Sequence, residues 1–182
     1  MSRAIDDLMH EHDAILAALG ILQNMDQQLA AGQPVNSADF QAFIGFLKDF
    51  ADKCHHGKEE GLLFPALTAA GTPSPGASVG DLLKEHEQGR ERINQMEASL
   101  QPTLDAARFS NAARGYAEVL RSHIQKENEI LFPLAEKSLS PQKLDELFEA
   151  FEAHEAKVMG AGRHEQLHGL LKDLRKKYQA PA

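Results

Sequence analysis

The sequence predicts an all-α chain: an up-down-up-down four-helix bundle with an additional C-terminal helical segment. Three observations predict it. Apolar residues recur at three- and four-residue steps, Ala and Leu are abundant, and β-branched runs are missing. Turn chemistry cuts the chain into five long segments. One stretch is also said nearly twice: KCHHGKEEGLLFPAL, residues 53–67, is echoed by RSHIQKENEILFPLA, residues 121–135.

Segment one covers about Ser2 to Ala31 and stops at AGQPVNS. Asn36 or Ser37 caps segment two, which carries the first copy of the repeat. AAGTPSPGAS is the clearest break, with its Pro and Gly. Segment three runs from about Gly80 to Leu100 and ends at QPTLD; segment four carries the second copy and runs to about Lys137. Ser140 caps a fifth segment with Pro141 in its first turn, and MGAGR interrupts it before a last amphipathic piece ending near Tyr178. Glu11-His12 in segment one is matched by Glu85-His86 in segment three, so two helical hairpins echo one another. The expected division is a bundle over residues 1–137 and a C-terminal helical extension over 138–182, packed on it.

The formal net charge of −8 and pI near 5.6 argue against a nucleic-acid partner. No run of 18 or more apolar residues is present, so no membrane span is expected. The N-terminal stretch has acids and His where a secretory signal needs a continuous apolar run. Cys54 is alone, which suits a reducing compartment, and the expected localisation is cytoplasmic.

Helical phase sorts the His, at about 100° per residue. His12 falls near the centre of the stripe of Ile5, Leu8, Ile15, Leu19 and Leu22, while His10 points away. His86 is bracketed by Leu82, Leu83, Ile93 and Leu100. His123 and Glu127 both sit inside the stripe of Ala112, Tyr116, Val119, Leu120 and Ile130. A Glu in a core stripe is costly unless it is paired, protonated or bound to a metal. In segment two His55 lies roughly 80° from the middle of the stripe and His56 close to its far side. Alignment to the second copy favours His55 with Glu59 over His56 with Glu60. On that reading His55→Ala costs metal and His56→Ala does not.

Side chains at i and i+4 share a helix face, so each His-x-x-x-Glu offers an imidazole and a carboxylate to one place. The expected metal ligands are His12, His55, Glu59, His86, His123 and Glu127. A lone His on an apolar face is more often a core residue with a hydrogen bond, but four in a repeated order, two with Glu at i+4, point to a metal site. One octahedral ion would be saturated by six donors; two ions would receive about eight of twelve bonds if both Glu bridge. A bridging oxide or hydroxide would add two, leaving room for a small ligand. Imidazole with carboxylate suits iron first, with manganese or zinc as substitutes.

These motifs resemble the hemerythrin-like, or HHE cation-binding, family, whose pattern is H…H-x-x-x-E…H…H-x-x-x-E on four helices. The resemblance covers about residues 5 to 137 and rests on His12, His55-x-x-x-Glu59, His86 and His123-x-x-x-Glu127. It implies a non-haem di-iron centre, two oxo- or hydroxo-bridged iron ions in a four-helix bundle, that binds or reacts with O2, peroxide or nitric oxide in oxidative or nitrosative stress or oxygen sensing. The alternative is an iron-handling or redox-sensing module that signals to a partner protein; a third reading is a polar core network without metal. Invertebrate hemerythrins carry a fifth His, but Arg90 stands four residues after His86, which points away from simple oxygen transport.

Four further features stand out in the sequence. His154 flanks the fifth segment's stripe and is a candidate for an added ligand or a supporting contact. His164-Glu165-Gln166-Leu167-His168 matches the zinc-protease H-E-x-x-H, yet both His are expected to face solvent and too little chain follows for a third ligand and a cleft. Cys54 is expected to be a buried thiol beside His55, open to oxidation. Phe64-Pro65 and Phe132-Pro133 are expected to fill the bundle end and to kink or end each helix.

Overall fold

The computed structural model describes residues 1–73, 75–160 and 162–178. Ser74 of AAGTPSPGAS, Ala161 of MGAGR and the last four residues of the extension lie outside the described residues. The described chain is a helical bundle with further C-terminal helices and no strand. Helix α1 (Arg3–Ala30) leads into a bundle helix over residues 37–69, built from α2 (Ser37–Phe46), two π-helical stretches, π1 (Leu47–His56) and π2 (Glu59–Leu63), and α3 (Phe64–Ala69). Helix α4 (Val79–Ala98) is followed by a second composite helix over residues 106–138: α5 (Ala106–Lys126), π3 (Glu127–Leu131) and α6 (Phe132–Ser138). Helices α7 (Pro141–Met159) and α8 (Arg163–Lys177) follow.

The helix starts are capped as the polar residues before them dictate. The side chains of Ser2, Asn36, Ser78, Asp105 and Ser140 accept from backbone N–H groups in the first turns of α1, α2, α4, α5 and α7. The cap of segment two is therefore Asn36 rather than Ser37.

Pro65 and Pro133 do not end their helices. Proline lacks an N–H and crowds the carbonyl four residues back, which breaks the α ladder locally. Here the chain widens into a π turn instead: the N–H of Phe64 bonds to the carbonyl of Glu59, and that of Phe132 to that of Glu127, each five residues back. The helix then continues as α3 and α6.

Two apolar clusters fill the bundle. One gathers Ile15, Leu19, Leu22, Phe40, Phe43, Phe50, Phe109 and Tyr116, and α8 closes it with Leu167, Leu171 and Leu174. The other gathers Ile5, Leu8, Leu63, Phe64, Leu82, Leu131 and Phe132, and α7 closes it with Leu144, Leu147 and Phe151. Along α1, His12 comes between Leu8 of one cluster and Ile15 of the other; along α4, His86 comes between Leu82 and Ile93. The buried His and Glu thus form a polar layer between two dry cores.

Candidate metal centre

His12, His55, Glu59, His86, His123 and Glu127 are each at most 1% exposed. They meet in two overlapping groups, His12 with His55, Glu59 and Glu127, and His56 with Glu59, His86 and His123, whose donor atoms lie within 4.8 Å of one another in each group. Glu59 belongs to both, with Oε1 3.5 Å from Nε2 of His55 and Oε2 3.4 Å from Nε2 of His86. Glu127 also spans the halves, its Oε2 3.2 Å from Nε2 of His12 and 3.1 Å from Nε2 of His123.

Four imidazoles are held from behind. Nδ1 of His55 lies 2.9 Å from Glu11, Nδ1 of His86 2.7 Å from Glu60, Nδ1 of His123 3.1 Å from Glu85, and Nδ1 of His12 2.8 Å from Oδ1 of Asn128. An oxygen acceptor at Nδ1 takes the ring proton there and leaves the Nε2 lone pair facing inward. The Phe of each Leu-Phe-Pro stacks on one of these rings, Phe64 on His86 and Phe132 on His12, with centroids 5.8 and 5.2 Å apart.

The supporting residues repeat as the ligands do. The Glu of each Glu-His pair orients the His of the next helix: Glu11 serves His55, and Glu85 serves His123. The residue after each inward Glu serves the remaining His: Glu60 for His86, Asn128 for His12. Each supporting carboxylate has its own cation. Lys58 bonds Glu11 at 3.0 Å, Arg90 bonds Glu60 at 2.6 Å, and Lys126 bonds Glu85. The paired Glu-His is visible in the sequence, but this role for its Glu is not. Helical phase points Glu11, Glu60, Glu85 and Asn128 off the stripe centre, so the signal was their adjacency to a candidate ligand in both copies.

His56 corrects the expectation from helical phase. It is 3% exposed, inside the cluster, with its ring stacked on His86 at 3.8 Å between centroids. The reason is the winding of π1. With i→i+5 bonding each residue turns by less than in an α-helix. Between Leu47 and His56 that lag brings His56 back under Leu47, and His55 and His56 both face the interior. Glu59 faces inward with them, while Glu60 is partly exposed and orients His86. His56 is thus a fifth imidazole in the cluster, and it comes from segment two rather than from beside His86.

Burial alone would lower the pKa of His123, but the charge and hydrogen bond of Glu127, with Glu85 behind, raise it to about 10. His55 and His86 are raised in the same way, against burial, by Glu59 with Glu11 and by Glu59 with Glu60. Glu127 would be raised by burial, yet the imidazoles of His123 and His12 hold it far below the usual carboxylate range. His56 is pushed well down by burial and by the charges of His86, His55, His123 and Arg90, so its ring is a neutral donor.

The buried atoms fit a cation better than they fit each other. Nε2 of His12 and His55, both nitrogens of His56 and all four carboxylate oxygens of Glu59 and Glu127 have no partner in hydrogen-bond geometry. Nε2 of His86 and of His123 face one another at 3.0 Å, each with its Nδ1 on a carboxylate. Two lone pairs so placed require a proton or a cation between them. The supporting carboxylates are neutralised outside, and the inward set of imidazoles with the carboxylates of Glu59 and Glu127 is a donor set that suits transition-metal cations.

The other candidates supply no ligand to this cluster. His154 does not reach the centre; its Nε2 donates to the carbonyl of Lys53 at 3.0 Å. His164 and His168 pack edge to face at 4.7 Å, are partly exposed and exposed respectively, and belong to no group of three potential ligands among the described residues. Arg90 pairs with Asp52 at 2.8 Å as well as with Glu60. Cys54 is fully buried with Sγ 3.9 Å from Glu11, and burial beside that carboxylate pushes its thiol up to about 12, so it is an inert thiol.

Among the described residues no helix is long and apolar enough to cross a membrane. The sequence profile of the hemerythrin HHE cation-binding domain matches residues 3–135. An uncharacterized protein of Mycobacterium tuberculosis is 25% identical over 181 residues, spanning 95% of this chain and 69% of its own. A protein of Mycobacterium bovis, also uncharacterized, matches to the same extent. No solved structure matches. With a cation-fitting cluster at the repeated motifs and a profile match over most of its length, the chain belongs to the hemerythrin HHE cation-binding family.

Proposed function

We propose that the centre holds two iron ions and binds or reacts with a small oxidant, O2, peroxide or nitric oxide. The observation that carries this reading is the set of buried, partnerless donor atoms aimed at one another while their Nδ1 atoms are tied behind. His86, His123 and His56 would hold one ion, His12 and His55 the other, and Glu59 and Glu127 would be shared. Iron so bound supplies redox equivalents and a Lewis-acidic place for a small ligand. The donor numbers are unequal, three imidazoles against two, so an ion on the His12–His55 side would have more room for a small ligand.

The chain's own residues do three things around it. Glu11, Glu60, Glu85 and Asn128 fix the ring planes and keep the protons on Nδ1. The apolar clusters on either side exclude water and bulky reductants, which favours a diatomic or peroxide over a larger substrate. Lys58, Arg90 and Lys126 neutralise the supporting acids, so they do not compete for the cation.

The test is iron per chain in protein from iron-replete cells, with its near-ultraviolet and visible spectrum before and after peroxide. About two irons and a ligand-to-metal charge-transfer band that responds to peroxide are expected. The double substitution His123→Ala with Glu127→Ala should abolish both; unchanged iron in that variant would show that the ligands are elsewhere. Turnover of peroxide, rather than a single spectral change, separates consumption of the oxidant from sensing.

A further inference from the structure

Helix α7 lies beyond the segment matched by the family profile, and it touches π1 at a telling place. The N–H of Gly57 bonds to the carbonyl of Asp52, five residues back, and so passes over Lys53, whose carbonyl an α-helix would use. That bypassed carbonyl is the one that accepts from Nε2 of His154 at 3.0 Å. The imidazole can reach it because residue 57 is glycine: a Cβ there would stand 2.6 Å from the same Nε2. A side chain inserted into the ladder is one of the identifiable causes of altered helix winding.

We propose that His154 is a positioning residue for the metal centre: by occupying the Lys53 carbonyl it holds π1 in its wider winding, and that winding turns His56 inward beside His55. The claim rests on the cation centre proposed above and adds that the C-terminal extension sets its donor number. His154 acts only through His56. With His154 gone, the Lys53 carbonyl recovers the Gly57 N–H, π1 tightens and His56 turns off the cluster.

Ferrous iron is titrated anaerobically into the chelator-stripped full chain for wild type, His154→Ala, His56→Ala and the double variant. Loss of a group that supports a metal ligand costs about 10–100-fold in affinity, so His154→Ala should weaken iron binding by about tenfold or more and alter the visible spectrum of the loaded protein. The double variant should bind no more weakly than His56→Ala alone, because both changes remove the same donor. Gly57→Ala gives an independent route. Its Cβ displaces the far end of a movable side chain, so the fold should hold while His154 is expelled, and its iron affinity should match that of His154→Ala. His154→Asn, whose amide can donate, should restore part of the affinity.

Wild-type affinity in both His154→Ala and Gly57→Ala overturns the proposal and leaves the metal centre standing. So does full additivity of His154→Ala with His56→Ala, which would mark His154 as a general brace. A wild-type chain that takes up no iron overturns the centre and this inference with it.

Discussion

Replacing Lys58 with Met deletes a fully buried cation and keeps most of its volume. The Lys58 ammonium lies 2.8 Å from Asp7, 3.0 Å from Glu11 and 3.2 Å from Glu155. Without it, three carboxylates converge on an apolar side chain, and Glu11, 5% exposed, is left with His55 and the weak Cys54 thiol. Removing one partner of a buried pair costs about 3–5 kcal/mol. The side chains of Asp7 and Glu155 are 25% and 27% exposed, and water screens their share, so the cost falls mainly on Glu11. The pKa of Glu11 gives a second route to the size. Burial would raise it, but His55 and Lys58 bring it from 4.5 to about 2. At 1.36 kcal/mol per unit this is about 3 kcal/mol, divided between the two partners. A loss of about 2–3 kcal/mol is therefore expected for Lys58→Met at pH 7. For a chain of this length that lowers Tm by about 4–12 °C.

The assay is urea and thermal unfolding of the chelator-stripped protein, followed by circular dichroism. The pH dependence has a definite sign. The folded pKa of Glu11 is depressed, so its contribution is present above 4.5 and is lost as pH falls toward about 2. The gap between wild type and Lys58→Met should accordingly narrow through that window as Glu11 becomes neutral. A loss under about 0.5 kcal/mol at pH 7, or a gap that widens on acidification, would refute the reasoning.

Three further outcomes follow from the site. Because π1 turns both rings inward, His55→Ala and His56→Ala should each lower iron affinity; full retention in His56→Ala would restore the expectation drawn from helical phase alone. The Cys54 thiol, buried and pushed up to about 12, should react with an aromatic disulfide at pH 8 only as fast as the protein opens, and prompt labelling of the folded protein would contradict its burial. In the chelator-stripped protein the His123–Glu127 pair raises the His123 pKa to about 10, so its stabilisation is full below 6.5 and is lost as pH rises through about 10. Tm should fall between pH 7 and pH 10; a flat or rising profile would count against a charged His123 in the stripped protein.

The bundle was legible because its signals are local. Caps at Ser2, Ser140 and Asn36, the breaks between segments, and the apolar stripes of α1, α4 and α5 all follow from residues a few positions apart. The buried position of His12, His86, His123 and Glu127 was legible for the same reason: each sits in an unbroken α-helix or at its edge, where about 100° per residue holds. His56 was misplaced because that arithmetic assumes one winding, and π1 has another. Nothing within segment two announces the change, since part of its cause, His154, lies in α7. The expectation that the Phe-Pro pairs kink or end each helix rests on what proline usually does; here the ladder widens and continues. The supporting acids were missed because their partners sit on other helices, and pairing across helices leaves no periodic trace.

The widened winding of π1 also decides how alike the two halves of the molecule are. The duplicated hairpins already differ in one supporting residue, Glu60 against Asn128, and the winding of π1 adds a larger difference among the inward donors. The position that His56 holds is taken in the second copy by Ile124, on a stretch that keeps its α winding. Winding and sequence together thus give the donor cluster a polarity, with three imidazoles at His56, His86 and His123 and two at His12 and His55. If the centre holds two ions as proposed, such a polarity would set them at different potentials and give an electron leaving or entering a preferred end.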